Sequence, residues 1–440
     1  MILREQPAAR PANRPEGLQV RPASALPSWP IGCLFGGLPV WWAIGVLDII
    51  TVPFALLMAW LMARSSGVRV PRAFGWWLLY CAVAGASVVM LDRASGLAFF
   101  SYRWLLSAAA GVLFVYVFNA RATLTSRYLS GTLTLWFVYT TVGGYLGLLI
   151  PTASFATPMH RLLPAAVTAN ELVGQMTVRT FAQFNPYGVL EVSPRPTAPF
   201  LYTNNWGSVY ALLMPFVVVY LVHTWRTARA WLVAIVLAAS VVPAFLTLNR
   251  GMFLSLGVAT VYLVLRSLLA RQWGVAALVV AAAVIGVTVF NLLPVSERLA
   301  VRLDENAAAT SNDSRLSLYE QSLSAVADSP LLGHGGPIQG TDAREPDVGT
   351  QGQLWMVLVS HGPLAAASWV IFFGMMYARG RGRGDPIGVA GCTTVVVGTV
   401  QLLFYGLLPY GLPLLMIAAA VAARGPEADR PAPLPAGGQA

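Results

Sequence analysis

A chain of 440 residues that is 57% hydrophobic and only 10% charged is excluded from the soluble class, because soluble domains carry about a quarter charged residues. Its formal net charge of +10 rests on 28 basic residues, all of them Arg, a bias that genome composition explains as readily as mechanism. Cys33, Cys81 and Cys392 each fall inside an apolar run, which leaves neither a disulfide framework nor a cysteine metal cluster.

In chain order, residues 1–29 are rich in Pro and Arg and read as a tail without a cleavable leader. Apolar runs of the length that crosses about 30 Å of hydrocarbon then recur. They lie near 30–46, 48–63, 73–91, 99–119, 129–150, 204–222, 230–248, 251–266, 273–293, 352–377, 387–406 and 408–423. The first two share one stretch broken only by Asp48, and the last two are parted only by Leu408-Pro409-Tyr410, so merging either pair lowers the count. Arg64, Arg69 and Arg72, Arg121 and Arg127, Arg226 and Arg229, Arg266 and Arg271, and Arg379 to Arg383 crowd one set of short turns. The alternate short turns hold Arg93 and Arg250. The positive-inside rule puts the crowded set, and both termini, in the cytoplasm.

The expected fold is an all-α polytopic integral membrane protein with about 12 transmembrane helices and two long outer-face loops containing amphipathic helices. Its parts are a cytoplasmic tail (1–29), an N-terminal bundle (30–150), a first outer loop (151–203), four spans (204–293), a second outer loop acting as a lid (294–351), C-terminal spans (352–423) and a tail (424–440). In the first loop, Thr168 and Glu171 have capping-box spacing, and Leu172, Val173, Met176, Phe181 and Phe184 recur at roughly helical intervals, which predicts an interfacial amphipathic helix. The second loop opens polar at Asp304 to Asn306 and predicts a helix over 315–328 with Leu316, Tyr319, Leu323 and Val326 on its apolar face. Ser329-Pro330 ends that helix, and Gly333 to Pro337 form a tight turn. Loops of this length with helices of their own are usually functional.

Arg250, within Thr247-Leu248-Asn249-Arg250-Gly251, reads either as an interfacial Arg snorkelling to lipid phosphates or as a forked ligand for a diphosphate. Its place against the orientation bias keeps the second reading open. Arg195 lies in a Pro-rich segment before Asn204-Asn205 at the mouth of a span, and Arg315 opens the second loop's helix; loop and solvent explain each separately, and three outward guanidinium groups could also share one anion. Asp48 and Arg103 sit within apolar runs near helix ends and read as structural. His334 and His361 are acid/base candidates or satisfied structural histidines. No Walker loop, metal-ligand spacing or nucleophile elbow is present in the sequence, so no ATP coupling, metal or other cofactor is expected, and no nucleic acid partner.

Taken together, Arg195 with Phe200 and Asn204-Asn205, then Asn249-Arg250-Gly251, then Arg315 followed by Asp328-Ser329-Pro330-Leu331-Leu332-Gly333-His334-Gly335, resemble the bacterial O-antigen ligase and O-antigen polymerase family of C-type glycosyltransferases over about 190–375. The resemblance implies transfer of a glycan from a polyprenyl-diphosphate donor to a glycan or glycolipid acceptor at the outer face of the inner membrane, without nucleotide sugar or metal. It assigns Arg195, Arg250 and Arg315, with Asn205 and Asn249, to donor binding. Where members show a His-Asn pair and then an acid, this chain has Gln351, which cannot act as a base, and later His361; His334 or His361 substitutes, or the acceptor chemistry differs, or the activity is lost. A different class, a secondary transporter or flippase for a lipid-linked or hydrophobic substrate, also suits the span count.

Overall fold

The computed structural model describes residues 25–93, 96–184, 194–292, 305–340 and 346–425, with backbone alone for 289–292 and 305–315. Helices dominate the described residues, and the two small sheets have two strands each. In chain order the helices are α1 Trp29–Gly36, α2 Leu38–Ile44, α3 Thr51–Ala63, α4 Phe74–Ala86, α5 Leu97–Asn119, α6 Ser126–Leu149, α7 Pro158–Leu162, α8 Ala165–Thr168, α9 Glu171–Thr177, α10 Thr203–Thr224, α11 Ala228–Leu246, α12 Arg250–Leu269, α13 Trp273–Leu292, α14 Glu305–Asp328, α15 Gln353–Gly380, α16 Pro386–Gln401 and α17 Gly411–Ala423.

Six of these, α5, α6, α10, α11, α12 and α15, are long and apolar enough to cross a membrane. Several of the other predicted spans are shorter. The 30–46 run is two helices broken at Gly37, and α3 and α17 have 13 residues each, about 20 Å at 1.5 Å per residue. A short helix is tolerable where protein replaces lipid around it. Every residue of α17 is buried, enclosed by α5, α10, α15 and α16, as befits a helix apolar on all sides. The irregular Leu402 to Tyr410 segment before it finds its hydrogen bonds in protein, as non-helical backbone at membrane depth must. Gln353 Oε1 accepts from Leu407 N at 3.0 Å, and Tyr405 O accepts from Gln353 N at 2.8 Å. At the periphery, α11 to α13 leave Trp231, Leu232, Ile235, Val261 and Leu278 exposed, an apolar face that suits lipid and would be a liability in water.

The first loop departs from its predicted form. Asn170, not Thr168, caps α9, its Oδ1 accepting from Leu172 N at 3.1 Å and Val173 N at 3.3 Å. The helix stops at Thr177 because β-branched Val178 and Thr180 enter a ladder: strand β2 (Val178–Thr180) pairs antiparallel with β1 (Ser154–Ala156). Phe181 and Phe184 therefore lie beyond the helix, and Phe181 is buried against Trp42 at 5.5 Å between ring centroids.

In the second loop, α14 begins at Glu305, earlier than predicted, and ends at Asp328 before Ser329-Pro330 as expected. Its buried stripe is Leu318, Ser322 and Ala325, packed with Val348 and Val359, while Leu316 and Leu323 are exposed. The helix lies against α15, on a face rotated from the predicted one. The following turn is tied to a kink in α15. Pro363 lacks the N–H that Val359 O would accept, and Gly362 sits at φ +81 inside the helix. His334 N and Gly335 N fill the gap, donating to Val359 O at 2.9 Å and Ser360 O at 2.8 Å. A Cβ at Gly362 would also come within 2.9 Å of Leu331 C. Gly362→Ala should lower the thermal unfolding midpoint in detergent by the equivalent of about 1–3 kcal/mol, while Gly374→Ala, where a Cβ meets nothing within 4 Å, should not; equal midpoints would remove the argument.

Candidate functional site

The site grows from the turn between α11 and α12. Leu248 takes a left-handed backbone at φ 51, uncommon for a non-glycine and a mark of local constraint. Asn249 follows as N-cap of α12, its Oδ1 accepting from Met252 N at 3.2 Å. It is buried, its amide also donates to Thr203 O at 3.4 Å, and Tyr405 OH donates to the same Oδ1. A Cβ on Gly207 would meet Asn249 Cγ at 2.8 Å, so the glycine is what lets the cap reach α10. Arg250, the first residue of α12, is exposed and has no hydrogen-bond or ion-pair partner among the described residues.

Arg195 reaches the same turn from the first loop. Strand β4 (Arg195–Pro196) pairs with β3 (Ala182–Gln183), setting Arg195 opposite Gln183, and Arg195 Nε donates to Thr247 O at 2.7 Å. Strand β4 lies flat on the glycine face of α6, where a Cβ on Gly147 would meet Pro196 Cα at 2.8 Å. Asn205 is half-buried in the first turn of α10, its backbone N–H on Tyr202 O at 3.0 Å. Burial, with Glu171 and Asp48 adding their charge, pushes the Tyr202 hydroxyl above its ordinary value, and that hydroxyl donates to Gln175 Oε1 at 2.5 Å.

The second loop closes over this corner through Tyr319, which stacks on Trp355 at 4.6 Å and donates to Leu403 O at 3.3 Å, two residues from Tyr405. The backbone of Arg315 lies one turn before Tyr319 on the same helix face; its side chain is outside the described residues. Gln351 is half-buried beside the start of α15, its amide 3.4 Å from Thr350 Oγ1.

The histidines occupy other surroundings. His334 Nε2 lies 2.9 Å from Ala325 O; a carbonyl only accepts, so Nε2 is the donor. His361 Nδ1 is 2.7 Å from Ser87 Oγ, whose own proton goes to Ala84 O at 2.8 Å. His361 therefore donates through Nδ1, with Phe100 at 6.0 Å. Eight residues into α15 from Gln353, it lies about 12 Å along the helix axis from that end. Thus Arg195, Asn249 and Arg250 share one turn, Gln351 lies beside the neighbouring helix mouth, and His361 is apart.

Two features carried no usable sequence signal. Tyr405, in an aromatic-rich turn, is the link between Asn249 and the α15 mouth. Arg179 on β2 forms a buried ion pair with Asp48, 3.0 Å from Nη1 to Oδ2 with both side chains 2% exposed. Arg179 Nε also donates to Trp42 O at 3.1 Å, and Tyr410 OH donates to Asp48 Oδ1. Asp48 is thus structural, as its position near a helix end suggests, and it pins the first loop to the turn between α2 and α3.

No curated protein matches the chain. The O-antigen ligase family model matches residues 235–363, a stretch that runs from α11 through the Asn249-Arg250 turn and α14 to the kink in α15. Over that stretch, less than a third of its length, the chain is similar to O-antigen ligases, a likeness that supports O-antigen-ligase-like glycan transfer in cell-envelope polysaccharide assembly by a multi-pass membrane protein.

Proposed function

We propose that the protein transfers a glycan from a polyprenyl-diphosphate donor to a glycan or glycolipid acceptor, at the outer face of the inner membrane. The observation that carries this reading is that Arg195 is tied to the 247–250 turn from which Arg250 opens α12, a helix N-terminus whose backbone N–H groups and dipole favour an anion. The diphosphate lies against Arg250, with Arg315, Asn205 and Asn249 as the further donor-binding residues. An acceptor hydroxyl oxygen attacks the anomeric carbon, the bond from that carbon to the phosphate oxygen breaks, and the electron pair leaves with the diphosphate. Fixed guanidinium charge outside bulk water stabilises the departing group most as its charge develops. The hydroxyl proton passes to a base, for which His334, carried by the second outer loop, is the candidate, and Gln351 orients the acceptor without taking the proton. Incubating the purified protein with polyprenyl-diphosphate oligosaccharides tests the proposal: release of carrier diphosphate together with a lengthened or transferred glycan is expected, and an intact donor would overturn it.

The kink at Gly362-Pro363 favours the second reading, a flippase for a lipid-linked substrate, since interrupted helices line transport paths. Movement of labelled donor between leaflets of proteoliposomes, without bond cleavage, is the result that would select it.

The outward placement of both loops carries its own test. In a background with the native cysteines replaced, Gln175→Cys and Thr310→Cys should react with a membrane-impermeant thiol reagent in intact cells and Gly382→Cys should not; labelling at 382 alone reverses the orientation.

A further inference from the structure

At the end of the bundle opposite the candidate site, the α3–α4 and α5–α6 turns and the C-termini of α15 and α17 surround a cleft of about 630 Å³, within the range of small-molecule sites. Five guanidinium groups line it, from Arg69, Arg72, Arg121, Arg379 and Arg424, and no carboxylate does.

They are not equivalent. Arg424 is buried and spent on backbone, donating to Val117 O and Leu124 O. Arg121 donates to Phe118 O at 3.0 Å and covers the Phe118 ring at 4.6 Å. Arg379 uses only Nε, on Ala423 O at 3.0 Å. These contacts cap helix C-termini, where cations are favoured. The side chains of Arg69 and Arg72 have no hydrogen-bond or ion-pair partner among the described residues, and both are exposed, as is Arg379. Three exposed guanidinium groups thus face one cleft with no acid to offset their repulsion. The floor is apolar: Phe118 and Met376 are buried, and Val70 and Met375 are exposed at the rim.

We propose that this cleft holds the phosphodiester headgroup of an anionic diacyl lipid, with the first part of an acyl chain on Phe118, Met375 and Met376. Arg69, Arg72 and the terminal nitrogens of Arg379 bind the phosphate oxygens. The apolar floor selects a lipid over free phosphate, which would leave it wet. The Arg bias assigns this end to the cytoplasmic leaflet, where basic pockets between spans recognise anionic headgroups. The proposal is independent of the transferase reading.

The full chain is reconstituted in nanodiscs of equal phosphatidylglycerol and phosphatidylcholine, released, and its retained lipid counted by native mass spectrometry. Phosphatidylglycerol should be retained in preference to phosphatidylcholine by at least about tenfold, and Arg69→Gln/Arg72→Gln/Arg379→Gln should bring that ratio near one. Arg226→Gln/Arg229→Gln, which removes charge from another turn at the same end, should leave the ratio unchanged. Folding of each variant is confirmed by its thermal transition in phosphatidylcholine alone. Equal retention of the two lipids by the unaltered protein would overturn the proposal, as would an unchanged ratio in the triple variant or displacement of the lipid by millimolar inorganic phosphate.

Discussion

Arg250→Ala is expected to reduce release of carrier diphosphate by on the order of a hundredfold, the usual cost of removing one fixed donor from a developing negative charge. Its side chain is exposed and unpartnered among the described residues, so the thermal midpoint should stay within about 0.5 kcal/mol of the unaltered protein, as for ordinary surface changes. Arg250→Lys should fall between the two, keeping the charge but losing the forked grip. Arg195 makes a poorer probe, because its Nε also holds Thr247 O and its removal mixes folding with chemistry. Full activity in Arg250→Ala would sink the assignment of this turn to the donor.

The second large effect is on stability. Asp48→Ala leaves Arg179 charged in surroundings where it is 2% exposed, and breaking a buried pair from one side costs about 3–5 kcal/mol. Arg179→Met should cost a similar amount through Asp48, to which Tyr410 still donates. Asp48→Leu with Arg179→Met should recover most of the loss, since replacing both charges by apolar groups removes the stranded one. Thermal unfolding of the four proteins in one detergent decides it; a double variant no better than either single would mean that steric fit, not charge, governs this corner.

Much of the fold was legible because hydrocarbon imposes a simple length rule, and α5, α6, α10 and α15 follow it. The rule misleads where protein stands in for lipid: α17 looks like a span but is a 13-residue core helix. The amphipathic face of α14 was displaced because Ser322, a polar residue, is buried with Leu318 and Ala325, its hydroxyl satisfied by Leu318 O at 2.7 Å. A pattern drawn from apolar residues alone passes over such a position. In the first loop, the apolar spacing pointed to a helix running on to Phe181 and Phe184, but pairing with Ser154–Ala156 overrode it beyond Thr177, and that pairing joins residues more than twenty apart. At the candidate site, Arg195, Asn249 and Arg250 stood out as charge and amide in turns between spans. Arg179, Tyr405 and Tyr410 did not, because partners such as Asp48 and Asn249 are remote in sequence.

The kink in α15 has a consequence for how the second loop can move. Val359 O loses its helical donor at Pro363 and takes one from His334, beside the bond from Gly335 to Ser360 O, so lifting that turn would strand the Val359 carbonyl away from water, at about 1–3 kcal/mol. The root of the loop is therefore fixed to the span it precedes. The Tyr319 contacts, one stacking pair and one 3.3 Å hydrogen bond, are the weaker tie. A movement that kept these bonds and broke both the Tyr319 contacts and the Leu318–Ala325 packing would swing α14 about residues 333–336, with its Glu305 end travelling farthest, much as a door moves most at the edge away from its hinge.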